Sequence, residues 1–275
     1  FIPDVMRMLD NVLTDFIEKA PESFSDATYS ALKERSVGLG VMGLHSYFQQ
    51  KRIPFESVMS KVWNKKIFAN IQKQVDQASK DLADERGPCP DAADYGINER
   101  FSNKTAIAPT ASISIICGGT SPGVEPIAAN SYTHKTLSGS FNVRNKYLTE
   151  VLEKYGKNDE ETWSSITTNQ GSVSHLDFLS QNEKDVFKTA FELDQRWIVD
   201  LGADRTPHIS QAQSINIFIP ADIHKKDLHQ IHFQAWKKGL KSLYYCRSKS
   251  IQRAENINNA LSLIHISEPT RRSDI

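Results

Sequence analysis

Two stretches of this sequence hold side chains whose types and spacing suit chemistry, and each sits at the end of a β-prone run. In "KGLKSLYYCRSKS" two tyrosines, Tyr244 and Tyr245, are adjacent, just ahead of the basic Arg247 and Lys249. Neighbouring side chains of a regular strand point to opposite faces. Core packing on one side and a hydrogen-bonded rim on the other is the simplest use of such a pair. In "IAPTASIS" the β-prone run from Thr105 to Ala108 ends at Pro109, and Thr110, Ala111 and Ser112 follow. Their small side chains leave backbone N–H groups accessible, so the turn can cradle an anion, with the Thr110 and Ser112 hydroxyls as further donors. The same residues suit a plain turn, and residue types alone leave both readings open.

Other chemistry-bearing residues form weaker sets. "GLGVMG" (Gly38, Gly40, Gly43) matches the G-x-G-x-x-G dinucleotide fingerprint, but "SDATYSALKE" before it is not a buried strand and no acidic residue follows at the fitting distance. Close backbone packing explains these glycines as well. His224, His229 and His232 share one expected helix without a carboxylate or cysteine at a metal-ligand spacing, which favours a solvated face. Cys89, Cys117 and Cys246 are too few and too scattered for a disulfide framework or a zinc site, and Cys117 reads as a buried, inert thiol. No Ser-His-Asp signature and no H-E-x-x-H occurs.

The elements that must position these residues alternate between helix and strand. The opening "FIPDVMRMLDNVLTDFIEKA" reads as an amphipathic helix with Val5, Met8, Val12 and Phe16 on one stripe, and Asp4, Arg7 and Asp10 rule out a signal peptide. From Ser57 to Arg86, Phe68, Ile71, Val75, Ala78 and Leu82 step by three and four, and "GPCP" stops that long helix. Ser180 and Glu183 form a capping box for a helix carrying Val186, Ala190, Leu193 and Trp197 and ended by Gly202. "QSINIFIP" alternates, with Ile215, Ile217 and Ile219 on one face, then a helix runs to Gly239 and the Tyr244–Tyr245 strand follows. This alternation predicts an α/β fold with mostly parallel strands. The chain has 275 residues, 39% of them hydrophobic, and 33 basic residues balance 33 acidic ones. No basic surplus points to nucleic acid, and no apolar run is long enough to span a membrane. A reducing cytoplasm is the expected setting.

Taken in order, "ERSVGLGVMGLHSY", "IAPTASISIICGGTSPGVEP", "YTHKTLSGSF", "ISQAQSINIFI" and "LKSLYYCRS" resemble the large subunit of class I ribonucleotide reductase, over roughly Phe1 to Ile257. The resemblance implies a ten-stranded α/β barrel made of two five-stranded halves, of which this chain is the second half plus C-terminal helices and a strand. It implies radical-based reduction of ribonucleotides, usually diphosphates, to deoxyribonucleotides. By this resemblance Pro109, Thr110, Ala111, Ser112 and Ile113 form the substrate-phosphate turn, and Tyr244 and Tyr245 relay a radical from the small subunit. Passing an oxidising equivalent between phenols needs the rings close together, so the strand is expected to distort there, as a bulge or at its end. The small subunit's C-terminal tail is expected to dock near the helix bearing Ile223, Leu228, Ile231 and Ala235.

The family's radical cysteine lies in an N-x-C-x-E motif that this sequence lacks, and its reducible cysteine pair is missing too. The chain is therefore expected to be an incomplete fragment, inactive alone and binding no cofactor itself. The family's metal-dependent radical belongs to a separate small subunit, and nucleotides act as effectors. The expected partners are that subunit and a ribonucleoside diphosphate, with a homodimer for the full-length chain and neither nucleic acid nor membrane. An adenosylcobalamin-dependent reductase shares the barrel and a similar turn but needs no tyrosine relay; a non-redox phosphate-binding α/β module is the other alternative. Finally, "LSLIHISEPTR" (Leu261 to Arg271) is similar to a translated sequencing adapter. Residues 1–260 are thus expected to be the partial barrel and 261–275 an artefactual tail.

Overall fold

Parallel strands cannot be joined by a tight turn, so each return in a parallel sheet needs a crossover, and this chain spends its helices on such crossovers. The structure, a computed structural model, describes residues 1–136 and 139–248; Lys249 and the proposed tail at 261–275 lie outside the described residues. The chain begins with α1 (Ile2–Lys19) and α2 (Ser25–Glu34), then an extended segment around Leu39, then α3 (Leu44–Gln50), α4 (Val58–Arg86) and α5 (Pro90–Ala93). A second extended segment, 103–107, leads into the single turn of α6 (Ile113–Ile116) and an antiparallel hairpin of β1 (Ser131–Thr136) and β2 (Gly139–Arg144). After α7 (Lys146–Lys154), α8 (Glu160–Thr168), α9 (Gln181–Val186) and α10 (Gln195–Arg205) come β3 (Ile217–Ile219), α11 (Lys225–Lys237) and β4 (Cys246–Ser248).

The extended segments lie side by side in chain order. Leu39 bridges Thr105, Ile107 bridges Gln213, and β3 pairs with β4, all in parallel. The Leu39 N–H donates to the Lys104 carbonyl at 2.9 Å and the Ser214 N–H to that of Ile107 at 2.9 Å, so the segments form one ladder. The expected α/β architecture forms, parallel along this ladder, while the β1–β2 hairpin is antiparallel. The glycines of "GLGVMG" are explained by close approach within it. A Cβ on Gly40 would stand 2.4 Å from the Ala106 carbonyl oxygen, and one on Gly43, at φ +83°, 2.5 Å from Thr120 Oγ1. They serve the packing of the first segment and of α3, not a dinucleotide.

Helices cover the sheet through apolar clusters. Leu44, Phe48, Phe68, Ile198 and Leu201 pack on Ile107, Ile215 and Phe218, while Val199 and the α11 residues Ile231 and Ala235 pack on Ile217 and Ile219. α4 follows its expected stripe, with Phe68, Val75, Ala78 and Leu82 buried; Ser57 caps it by accepting from the Ser60 N–H, and Gly87 ends it. β3 is buried on both faces, including Phe218 and the preceding Asn216, as befits a strand of a covered parallel sheet. Alternation in "QSINIFIP" therefore does not mark a solvent face.

Three expectations are corrected. In α1 the buried stripe is Ile2, Met6, Leu9 and Leu13 together with Asp10, whereas Met8, Val12 and Phe16 are exposed. Asp10 is buried because Arg35 Nε (2.9 Å), Arg100 Nε (2.9 Å) and Arg86 Nη1 (2.8 Å) all donate to its carboxylate. Burial alone would raise its pKa, and the three guanidinium groups outweigh it and hold the group below its usual value. Second, the capping-box helix stops at Val186, and α10 starts afresh with Asp194 as its cap, so Gly202 lies inside a helix. Third, the apolar run ending at Cys117 makes only one helical turn, in which Ile113, Ile115 and Ile116, and Cys117 after it, are exposed.

Candidate active site

The segment 103–107 delivers its carboxyl end to the "PTASI" turn. Thr110 sits at φ +52°, a left-handed conformation in which a non-glycine residue is strained. Its Oγ1 accepts the Gly123 N–H at 2.7 Å, and its carbonyl accepts the Ser114 N–H at 3.0 Å. The Thr110 hydroxyl oxygen is thus occupied by the fold, and only its proton is left to give. Gly123, at φ +48°, is pressed so close that a Cβ would lie 2.9 Å from the Ala108 carbonyl oxygen. Ser121 ties the same loop to α3 by reciprocal bonds with Ser46, at 2.8 and 3.1 Å. Among the described residues the N–H groups of Ala111, Ser112 and Ile113 find no acceptor, and the three residues are exposed. Consecutive free N–H groups at a turn are the kind of feature that can favour an anion.

Tyr244 and Tyr245 meet where the ladder slips. The Tyr244 N–H donates to the Ile215 carbonyl at 2.8 Å, whereas the Ile217 N–H donates at 2.9 Å to the carbonyl of Tyr245. In a regular parallel ladder one residue would provide both bonds. Here two residues face the single residue Asn216, which is a bulge. The Tyr245 N–H, left without a backbone partner, donates to Asn216 Oδ1 at 3.0 Å. The bulge cancels the strand alternation, and the two rings lie 4.1 Å apart between centroids, tilted by 53°. The hydrogen bond to Tyr245 holds the Tyr244 phenol above its ordinary pKa. Both rings are partly open to solvent, at 49% and 41% exposure. The expected local distortion is present, and the separation is slightly shorter than typical for aromatic pairs.

Two residues that the sequence reading passed over join these places. Glu125, in the loop that holds Thr110 through Gly123, is only 5% exposed, and burial pushes its carboxyl up to about 7 against the opposing influence of Arg247 and the Asn216 N–H. Asn216 is fully buried. The signals were a lone asparagine within an isoleucine run and a glutamate enclosed by "PGVEP".

The histidines go elsewhere. His224 caps α11 by accepting the Lys226 N–H, His229 stacks on Phe233, and His232 Nδ1 contacts the Leu228 carbonyl. Among the described residues no three His, Cys, Asp or Glu side chains assemble as a metal-holding group, and no helix is long and apolar enough to cross a membrane.

A family model described as "Ribonucleotide reductase, barrel domain" matches residues 2–99 and 91–246. The ribonucleoside-diphosphate reductase large subunit of Invertebrate iridescent virus 6 is 48% identical over 282 residues, covering 99% of this chain and 29% of the relative. That of Invertebrate iridescent virus 3 is 44% identical, covering 94% of this chain and 41% of its own length. Among solved structures, the class Id ribonucleotide reductase alpha subunit of Actinobacillus ureae matches with a TM-score of 0.84 at 36% identity, over 92% of this chain and 47% of that one. The chain thus spans less than half the length of these relatives.

Proposed function

From the premise that this chain belongs to the ribonucleotide reductase barrel-domain family, we propose that it is part of the large subunit of a ribonucleoside-diphosphate reductase, acting in radical reduction of ribonucleotides to deoxyribonucleotides. The observation that carries the reading is the tyrosine pair at 4.1 Å, set by a bulge rather than by ordinary strand geometry. A pair that only filled core space would not be left partly exposed with its rings in contact.

In this reading the turn from Pro109 to Ile113 holds the diphosphate. The N–H groups of Ala111, Ser112 and Ile113 point at the anion, and the Ser112 hydroxyl adds a donor. Tyr244 and Tyr245 carry an oxidising equivalent between the small subunit and the barrel interior. Oxidation of one phenol requires its proton to leave, and in this reading the neighbouring phenol oxygen of the pair takes it. The N-x-C-x-E cysteine is not in this chain, so the hydrogen abstraction at the ribose is assigned to a cysteine outside it. In this reading the metal-dependent radical belongs to the small subunit, and this chain contributes no cofactor of its own. The small subunit docks beside α11. The stripe Ile223, Leu228, Ile231 and Ala235 packs against the sheet, so the surface left for docking is the one bearing Phe233 and Trp236. A homodimer of the complete large subunit and a cytoplasmic setting complete the proposal.

The test is reconstitution. A complete large subunit carrying this segment, mixed with its small subunit and a reductant, should convert cytidine diphosphate to the deoxynucleotide, and either subunit alone should not. Phosphate-turn binding of the nucleotide without any turnover in the assembled enzyme would instead make this a non-redox phosphate-binding module.

A further inference from the structure

Asn216 is the one residue facing the bulge, and its environment is unusual for a buried asparagine. Its Oδ1 is committed to the Tyr245 N–H at 3.0 Å, while its Nδ2 is buried with no partner among the described residues. Its main-chain N–H lowers the Glu125 carboxyl against the effect of burial, and Glu125 Oε1 is likewise buried and unpartnered. Arg247, two residues beyond Tyr245, sets its charge against the same carboxylate, with its guanidinium 6.0 Å above the Phe218 ring. Buried polar groups with unmet hydrogen bonds weaken a fold, and an apolar residue at 216 would continue the run of isoleucines on either side. Packing alone does not account for this pair.

What Asn216 does is decide which ladder forms. If Oδ1 were absent, the Tyr245 N–H would have no acceptor in the bulged arrangement. A regular ladder, with Tyr244 providing both backbone bonds, would then compete, and it would send the two rings to opposite faces. We infer that Asn216 and Glu125 are positioning residues for the tyrosine pair: Glu125 holds the Asn216 main chain, and Asn216 holds the bulge that keeps the phenol rings in contact. Glu125 reaches this place from the loop whose Gly123 N–H is bound by Thr110 Oγ1, so the loop that braces the phosphate turn also braces the tyrosines. The inference rests on the reading of Tyr244 and Tyr245 as a relay.

The experiment uses the complete large subunit assembled with its small subunit, with cytidine diphosphate as substrate. Asn216→Ala and Glu125→Ala should each lower kcat by about tenfold or more while the Kd for cytidine diphosphate stays within about twofold, the split expected when only a later step is touched. Glu125→Gln keeps an acceptor for the Asn216 N–H and should retain kcat within about threefold. Where alanine at 125 prevents folding, Glu125→Leu fills the space without an acceptor and should show the same loss. Tyr245→Phe is measured alongside. An inactive Tyr245→Phe beside normal turnover in Asn216→Ala and Glu125→Ala would overturn this inference and leave the relay standing. Normal turnover in Tyr245→Phe would overturn the relay, and this inference with it. Parallel losses of kcat and nucleotide affinity, or a Glu125→Gln enzyme as slow as the alanine variant, would also contradict it.

Discussion

Adjacent tyrosines can touch only where a strand gives up its alternation, and in this chain one asparagine opposite them makes that possible. The tyrosines and the "PTASI" turn were legible in the sequence because their chemistry is local: two phenols side by side, and a run of small residues after a proline. Glu125 and Asn216 were not legible, since the burial of a carboxylate depends on a strand more than ninety residues away in the chain. Thr110 was half legible; its type suggested a free donor, but its oxygen is taken by Gly123. Two predictions belong at this scale. Ser112→Asp in the complete enzyme would set a carboxylate against the nucleotide diphosphate, and calorimetry should show Kd raised by at least about tenfold with the melting temperature unchanged. Unaltered affinity would remove the turn from the site. The second concerns Glu125. Its folded pKa, about 7, lies above the ordinary glutamate value of 4.5, so the folded state binds more protons than the unfolded chain between those values. Stability from this group is fully present below about pH 4.5 and is lost as pH rises through about 7. Glu125→Gln should remove this loss, so the variant gains on the wild type between pH 5 and 8, by up to about 3 kcal/mol in denaturant titrations. A difference that does not change with pH would show that the carboxyl titrates normally.

Elements were read well where one periodicity ran unbroken and poorly where a polar residue was buried or a cap fell mid-pattern. The long helix α4 matched its stripe residue for residue. In α1 the spacing of Val5, Met8, Val12 and Phe16 suggests one stripe, but three arginines from elsewhere in the chain draw Asp10 inside and turn the opposite face inward. Between α9 and α10 the apolar spacing of Val186, Ala190 and Leu193 continues, but Lys188 pairs with Glu56 and the Asp194 side chain starts a new helix. The spacing therefore tracks a buried connection rather than one helix. Ser180 does cap α9 as read, by a reciprocal bond with Glu183, and Ser180→Ala should cost about 1 kcal/mol in urea unfolding; no change would mean that α9 holds without its cap. Gly202, read as a helix stop, instead lets α10 approach β3: an added Cβ would meet Ile215 Cδ1 at 2.7 Å and Leu240 Cδ2 at 3.3 Å. Gly202→Val should cost about 1–3 kcal/mol by overpacking, whereas a glycine that merely ended a helix would tolerate it far better.

At the scale of the molecule, the parallel ladder runs from Leu39 through Thr105, Ile107 and Gln213 to β4. Among the described residues it has two outer edges and does not close on itself. An open edge with accessible backbone groups invites pairing between copies, so residues 1–275 expressed alone should self-associate and turn over no nucleotide; a monodisperse, cooperatively melting monomer in sedimentation velocity would contradict this. The parallel order was legible because every return runs through a helical pattern; the coupling of the phosphate turn to the tyrosines was not, because it is made through a loop. The relay itself operates only across the assembled enzyme, and its test belongs there. Tyr244→Phe, Tyr245→Phe and the double variant keep the rings and remove the phenolic protons. In the complete large subunit with its small subunit, steady-state reduction of cytidine diphosphate should be abolished in each, with nucleotide affinity intact and the double variant no worse than either single one. Normal turnover in Tyr244→Phe would contradict the account and return the pair to strand packing.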